Sequence, residues 1–402
     1  MVLATYEPLY SPRMAEHSGK NRRSVPFSFR LVTHSKTRAA VAAAGIGFAV
    51  LVIFVQMGFY GAVRGTAIAV TSRLDADLIM VSPAFVQILD TGNFDRSRLF
   101  QAMAVSEVES AAPIHLRYVN WHDPSSGENC RLLALGFPIA SARETSLLRL
   151  GGIAEQLDRL APTGSMLLDR LTQTKCGPAS PTNVVEINDQ ITRVAGDFEL
   201  GVGFLADGSV LMSDNSFDRL FRYESLDRPH LGLLKISQGA DPDEVAERLM
   251  DQLPADVRIL TADELQQIQE IFWLRNTAVG NIFALGSLAG FLVGVVVLFQ
   301  ILSTDIRNHL PLYATLRAMG YSGRRLSFFV LEQAWIFAAL GYVPALIISL
   351  LLFPAVHAVT KLPMFMSLDL ALSIAVLSAT MCSVAALLSM RKLRSADPAE
   401  LF

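Results

Sequence analysis

The chain has 402 residues, 51% of them hydrophobic and only 18% charged, with a formal net charge of −3. That balance suits an integral membrane protein with a sizeable soluble part, and it excludes a basic nucleic-acid binder. Three cysteines are too few for a disulfide framework.

Residues 1–38 read as a cytoplasmic N-terminal segment. Residues 1–24 are polar and aperiodic. Phe27, Leu31 and His34 then share one helical face opposite basic residues. This is the pattern of a juxtamembrane helix on anionic inner-leaflet lipid. No cleavable signal peptide is expected, because the apolar core that follows is too long for one and the segment before it too long and polar.

Four charge-poor runs are long enough to span a bilayer, which takes about 20 helical residues. They are 39–63, 276–304, 326–360 and 370–390. Lys and Arg near the span ends set the orientation. Residues 1–38 carry seven basic and two acidic residues, and 305–325 carry four and one. Residues 391–402 add Arg391, Lys392 and Arg394. Both termini and the connector 305–325 are therefore expected in the cytoplasm. Residues 64–275, with 19 basic and 30 acidic residues, are expected outside.

The first span carries Gly45, Gly47, Gly58 and Gly61, which permit close helix approach, and Gln56, for which an interhelical hydrogen bond is the favoured role. The external region reads α/β. Strands are predicted at 77–82, 113–121, 130–137, 184–187, 191–194, 210–212, 231–236 and 257–260, and a helix at 97–103. Asp241, Pro242 and Glu244 predict a capped helix, with Val245, Leu249 and Leu253 as its buried stripe. Thr261 and Glu264 predict a second capping box, opening a helix that runs on into the second span. The ends of the region, about 70–120 and 228–270, suggest one βαβ-type unit near the membrane, with 121–227 inserted. Cys130 and Cys176 are either a bridge or two unpaired thiols.

In the second span Gly286, Gly290 and Gly294 form a small-residue ridge at i, i+4, i+8, open to packing within the chain or to a dimer seam. Asn281 and Gln300 flank it. Glu332 places a carboxylate one turn into the third span, where a partner such as Arg324 or Arg325 would offset its cost. The connector contains one short helix. Leu312, Leu316 and Met319 share a face, Arg317 suits the last turn, and Gly320 sits at the C-cap position. Such a helix either lies in the lipid interface or docks into a groove on a cytoplasmic partner.

LRAMGYSGRRL at 316–326, followed by Glu332, resembles the signature of FtsX/MacB-type ABC permeases. RKLRSADPAELF at 391–402 resembles that family's C-terminal tail. RSRLFQAMAVSEVESAAPIHLRYVNW and LLALGFP resemble the DevC branch. The resemblance covers about residues 26–402. It implies a porter-like subdomain below a distal, largely β subdomain, and a homodimer with its seam at the first and second spans. It also implies a separate ABC ATPase docked on Leu312, Tyr313, Leu316, Arg317, Met319 and Gly320, a periplasmic adaptor and an outer-membrane channel. Glycolipid is the cargo it suggests, at the cell inner membrane.

These 402 residues contain no G-x-x-x-x-G-K-[ST], HExxH, CxxC or G-x-S-x-G motif, and the seven histidines show no ligand spacing. No catalytic, cofactor-binding or metal-binding residue is therefore expected. Two function classes stand: a transporter subunit driven by an ATPase, and a transmembrane regulator of a cell-wall hydrolase.

Overall fold

The computed structural model describes residues 36–122, 127–176, 184–222 and 224–394; the side chains of 36–39, 312, 314 and 392–394 are not among those described. The juxtamembrane helix expected at Phe27, Leu31 and His34, and the tail from 395, lie outside the described residues.

Helix α1 spans Lys36–Ala67. The region that follows contains β1 (Leu78–Val81), α2 (Ser97–Ala102), β2 (Val108–His122), β3 (Asn129–Phe137), α3 (Ile139–Glu144) and α4 (Leu157–Leu160). It continues through β4 (Ser165–Asp169), β5 (Val184–Ile187), β6 (Gln190–Phe198), β7 (Gly208–Ser213) and α5 (Asp214–Leu220). It closes with β8 (Leu231–Ile236), α6 (Pro242–Gln252), β9 (Arg258–Thr261) and α7 (Ala262–Ile271). Then come α8 (Ala278–Asn308), α9 (Leu310–Ala318), α10 (Gly323–Thr360) and α11 (Leu368–Arg394).

Helices α1, α8, α10 and α11 are each long and apolar enough to cross a membrane. They form a bundle around Ile46, Ile53, Phe54, Leu298, Ala334 and Met381. Small residues let two of its helices cross closely. A Cβ on Gly47 would lie 3.2 Å from the Gly341 carbonyl oxygen, so α1 and α10 meet backbone to backbone.

Nine strands join in one ladder in the order β3-β7-β4-β6-β5-β2-β8-β1-β9, and β3 also pairs with β2. That extra pairing returns the ladder to β2, so six strands form a small closed barrel. Its interior follows the two-residue period of a strand: Val119 and Trp121, Leu132 and Ala134, Met166 and Leu168, Val210 and Met212. Strand β2 belongs to both halves of the domain. Its first part pairs with β8 up to Ile114, and from His115 it pairs with β3. Strands β8, β1 and β9 complete the sheet, and Leu78, Met80, Leu234 and Ile259 pack there with Leu99 of α2 and Val245 and Leu249 of α6.

Strand β4 has no counterpart in the sequence reading. All five of its residues are buried, so its SMLLD run shows no alternation. Cys130 and Cys176 form a disulfide with Cα atoms 5.7 Å apart, closing a loop of 46 residues. Two further differences concern helix ends. The Asp241 side chain caps α6 by accepting from the Asp243 amide at 3.0 Å, and the reciprocal Glu244 bond is not among those of the described residues. The Thr261–Glu264 box at α7 forms in both directions, at 3.2 and 2.9 Å.

Helix α7 does not run on into the second span. A π-turn, Phe272–Asn276, follows it, and Thr277 is extended. Thr277 closes the break by donating its hydroxyl to the Trp273 carbonyl at 2.7 Å and accepting from the Val279 amide at 3.3 Å. A Cβ on Gly280 would lie 2.2 Å from the Leu274 carbonyl oxygen, so glycine lets the turn fold back on α8.

Candidate functional site: the connector helix and the domain–membrane junction

Helix α9 hangs between the second and third spans. Gly320 adopts φ +91°. Its amide donates to Arg317 O at 3.0 Å, and the Tyr321 amide donates to Leu316 O at 3.1 Å. This is the paired C-terminal lock that a glycine at that position supports. Gln333, well inside α10, donates to the Asp305 carboxylate at 2.7 Å, tying the outgoing span to the incoming one.

The residues assigned to docking divide between two sides of α9. Tyr313 is only 7% exposed and packs into the bundle core, which withdraws its side chain from the docking surface assigned to it. Leu316 is half-buried, Arg317 and Gly320 are exposed, and Met319 is 63% exposed. The side chain of Leu312 lies outside those described. Glu332 is half-buried, and Arg325 lies 5.6 Å over the Tyr321 ring.

The glycine ridge is occupied within the chain. A Cβ on Gly286 would meet the Gln56 amide at 2.5 Å, one on Gly290 would meet Ile53 at 3.1 Å, and one on Gly294 would meet Met381 at 2.1 Å. The ridge therefore seats α1 and α11 of the same chain, which removes it as the motive for a dimer seam. Gln56 packs against Gly286, and its Oε1 has no hydrogen-bond partner among the described residues. Asn281 and Gln300 are exposed on the outside of the bundle.

The junction between domain and bundle has no local sequence signal. The loop between β6 and β7 comes down onto the outer end of α1, where Gly203, at φ +55°, abuts Thr66. Next to it Phe204 meets Trp273 of the π-turn edge to face, with ring centroids 4.8 Å apart. The Tyr118 hydroxyl donates to the Leu205 carbonyl at 2.7 Å, anchoring that loop to the barrel. Arg64 of α1 pairs with Glu270 of α7 at 2.9 Å. Asp75 receives Lys235 at 2.7 Å and Arg149 at 3.2 Å. Burial alone would raise the Asp75 pKa, but these two cations hold it below the ordinary carboxylate range.

Two buried histidines lie where β2 passes from one half of the domain to the other. The Leu116 amide donates to His230 Nδ1 at 3.2 Å, and the His115 and His230 rings are 6.0 Å apart, edge to face. Burial, then the charge of Arg96, pushes His115 down to about 4. Burial, then Arg117 and His115, pushes His230 down to about 3. Both rings are neutral at pH 7.

Among the described residues, the one His/Cys/Asp/Glu group near enough to share a metal is Cys130, Cys176 and Asp207. Its two sulfurs are bonded to each other, which withholds the thiolates a metal needs.

The architecture defines a class: a four-helix membrane protein carrying an α/β domain between its first and second spans. Residues 284–398, from within the second span to the end of the fourth, match the family described as FtsX-like permease C-terminal. Similar solved structures include the extracellular domain of YknZ, a noncanonic ABC-type transporter from Gram-positive bacteria. It is 11% identical, covers 46% of this chain and 99% of its own, and has a TM-score of 0.33. They also include the periplasmic region of MacB from Actinobacillus actinomycetemcomitans, at 14% identity, 48% and 92% coverage and a TM-score of 0.34. No curated protein matches the chain.

Proposed function

We propose that this chain is the membrane subunit of an ABC exporter, which passes ATP-driven motion of a separate ATPase to its external domain. The carrying observation is α9. It lies within the stretch matched to FtsX-like permeases, is tied to the bundle by Tyr313, joins two spans that the Asp305–Gln333 bond holds together, and leaves Arg317 and Met319 outward. A rod anchored on one side and free on the other transmits force. Pressure on α9 reaches α8 and α10 together, and through α1 and the π-turn it reaches the loop at Gly203 and Phe204.

In this reading the connector and both termini are cytoplasmic and the domain projects into the periplasm, as the Lys/Arg distribution indicates. The domain divides into a porter-like part, 70–120 with 228–270, and a distal part, 121–227, whose loop at Gly203 and Phe204 reaches back to the membrane helices. Partners are an adaptor and an outer-membrane channel, and the cargo is a glycolipid of the kind DevC-like motifs suggest. A homodimer, with the ridge occupied, would use the outward face of α8, where Leu285, Leu288 and Leu292 are exposed. Control of a cell-wall hydrolase is the competing reading, and α9 serves either.

The test is co-purification of the ATPase with Met319→Asp and Leu316→Asp chains, against wild type. A buried large apolar side chain contributes roughly 1.5–3 kcal/mol, so each variant should bind about tenfold or more weakly. Variants that fold, keep the ATPase and still export would reduce α9 to an interfacial helix.

A further inference from the structure

A cavity of about 280 Å³ opens where the external domain meets the bundle, lined by Tyr60, Arg64, Glu270, Ile271, Leu274 and Arg275. One wall is the outer end of α1. The other is the end of α7 and the π-turn leading into α8. What this cavity binds is independent of the exporter reading.

The level of the cavity follows from helix length. The apolar core of a bilayer is about 30 Å thick, or about 20 helical residues. The first candidate span begins at Ala40, so the far edge of that core falls near Tyr60. Arg64 is one turn further out, roughly 6 Å at 1.5 Å per residue, which is the depth of the lipid headgroups. Tyr60 and Trp273 at this level match the interfacial preference of amphipathic aromatic rings.

The chemistry of the lining is specific. Arg64 and Glu270 neutralise each other at 2.9 Å. Arg275 is exposed and has no ion pair among the described residues, so the cavity keeps one net positive charge. Ile271 is 49% exposed on the same wall. An apolar side chain beside an unpaired guanidinium suits a ligand that is apolar at one end and anionic at the other. Guanidinium is also the side chain best matched to phosphate oxygens.

We propose that this cavity holds the phosphate of a glycerophospholipid from the leaflet on the domain's side, with Arg275 on the phosphate and an acyl chain over Ile271 and Leu274. The bound lipid bridges α1 and the π-turn, the two routes by which the domain joins the membrane. Glu270 opposes the phosphate and is tolerated because Arg64 neutralises it.

The experiment uses the full chain in a neutral detergent, titrated with dioleoyl phosphatidylglycerol and read by native mass spectrometry. Dioleoylglycerol, which lacks the phosphate, and inorganic phosphate are the parallel probes. Phosphatidylglycerol should bind wild type, with dioleoylglycerol at least tenfold weaker. Arg275→Gln should weaken phosphatidylglycerol about tenfold, the loss of one charge-assisted hydrogen bond. Arg275→Lys should retain most of the binding, and Arg193→Gln, on the barrel, all of it. Glu270→Gln should bind more tightly, because it frees Arg64 for the phosphate. The proposal fails if Arg275→Gln, eluting as wild type on detergent chromatography, keeps its affinity. It fails equally if inorganic phosphate displaces the lipid at its own binding concentration, which would make this a free-anion site.

Discussion

Gly203 and Thr66 touch so closely that a Cβ on the glycine would stand 2.3 Å from the threonine hydroxyl. Thr66 lies at the outer end of the first span and Gly203 in a loop of the barrel, 137 residues apart in the chain. Their contact makes the outer end of a membrane helix the seat of the external domain.

Replacing Gly203 by Val should unseat that loop. The left-handed backbone at φ +55° costs a β-branched residue on the order of 1–2 kcal/mol, before the clash with Thr66. The purified variant should keep its helical content, while amide exchange speeds up in 199–207 and around the π-turn. Wild-type exchange in both segments would show that the contact carries no load.

Acid should loosen the domain at the bend of β2. His115 and His230 have folded-state pKa values of about 4 and about 3, below the unfolded value near 6.5. The unfolded chain therefore takes up protons that the folded chain refuses. Stability is full above pH 6.5 and falls as pH drops from there toward 4 and 3, with a slope of up to about 1.4 kcal/mol per pH unit for each ring. The charged groups nearby are Arg96, Arg117 and Glu224, which lies 3.7 Å from His230 Nε2. Thermal unfolding of His115→Phe between pH 7.5 and 5 should show a shallower slope than wild type. An unchanged slope would place the titration elsewhere.

The Cys130–Cys176 bridge should matter to the barrel and not to the bundle. A 46-residue loop loses entropy worth about 4 kcal/mol on the chain-entropy account. Cys176→Ser, or reduction of wild type, should lower the melting temperature of the domain. Differential scanning with and without reductant would read it, and identical scans would refute the estimate.

Gly290→Leu should damage the single chain. Its Cβ would stand 3.1 Å from Ile53 and 3.3 Å from Val52, so a leucine pushes α1 off α8, an overpacking of about 1–3 kcal/mol. The variant should lose thermal stability in detergent at concentrations where wild type is monomeric. Loss of dimers with no change in monomer stability would return the ridge to the role of a seam.

The membrane spans were legible because lipid leaves a chain no choice. A run of about 20 apolar residues must satisfy its own backbone, and a helix is the way it does so. Most strands were legible from short apolar runs between turn residues, and Gly320 from its position after a short helix. The rest depended on partners distant in sequence. SMLLD at 165–169 is a strand because β6 and β7 flank it, and nothing in five buried residues distinguishes strand from helix. The glycine ridge announced close packing, but only the fold decided that Gln56, Ile53 and Met381 of the same chain fill it. Tyr313 was assigned to docking by resemblance, and only the fold showed its side chain packed into the bundle core. The break at Thr277 lies inside a sequence that favours a continuous helix. It forms because Gly280 lets the turn fold back and Thr277 bonds the backbone on both sides of it.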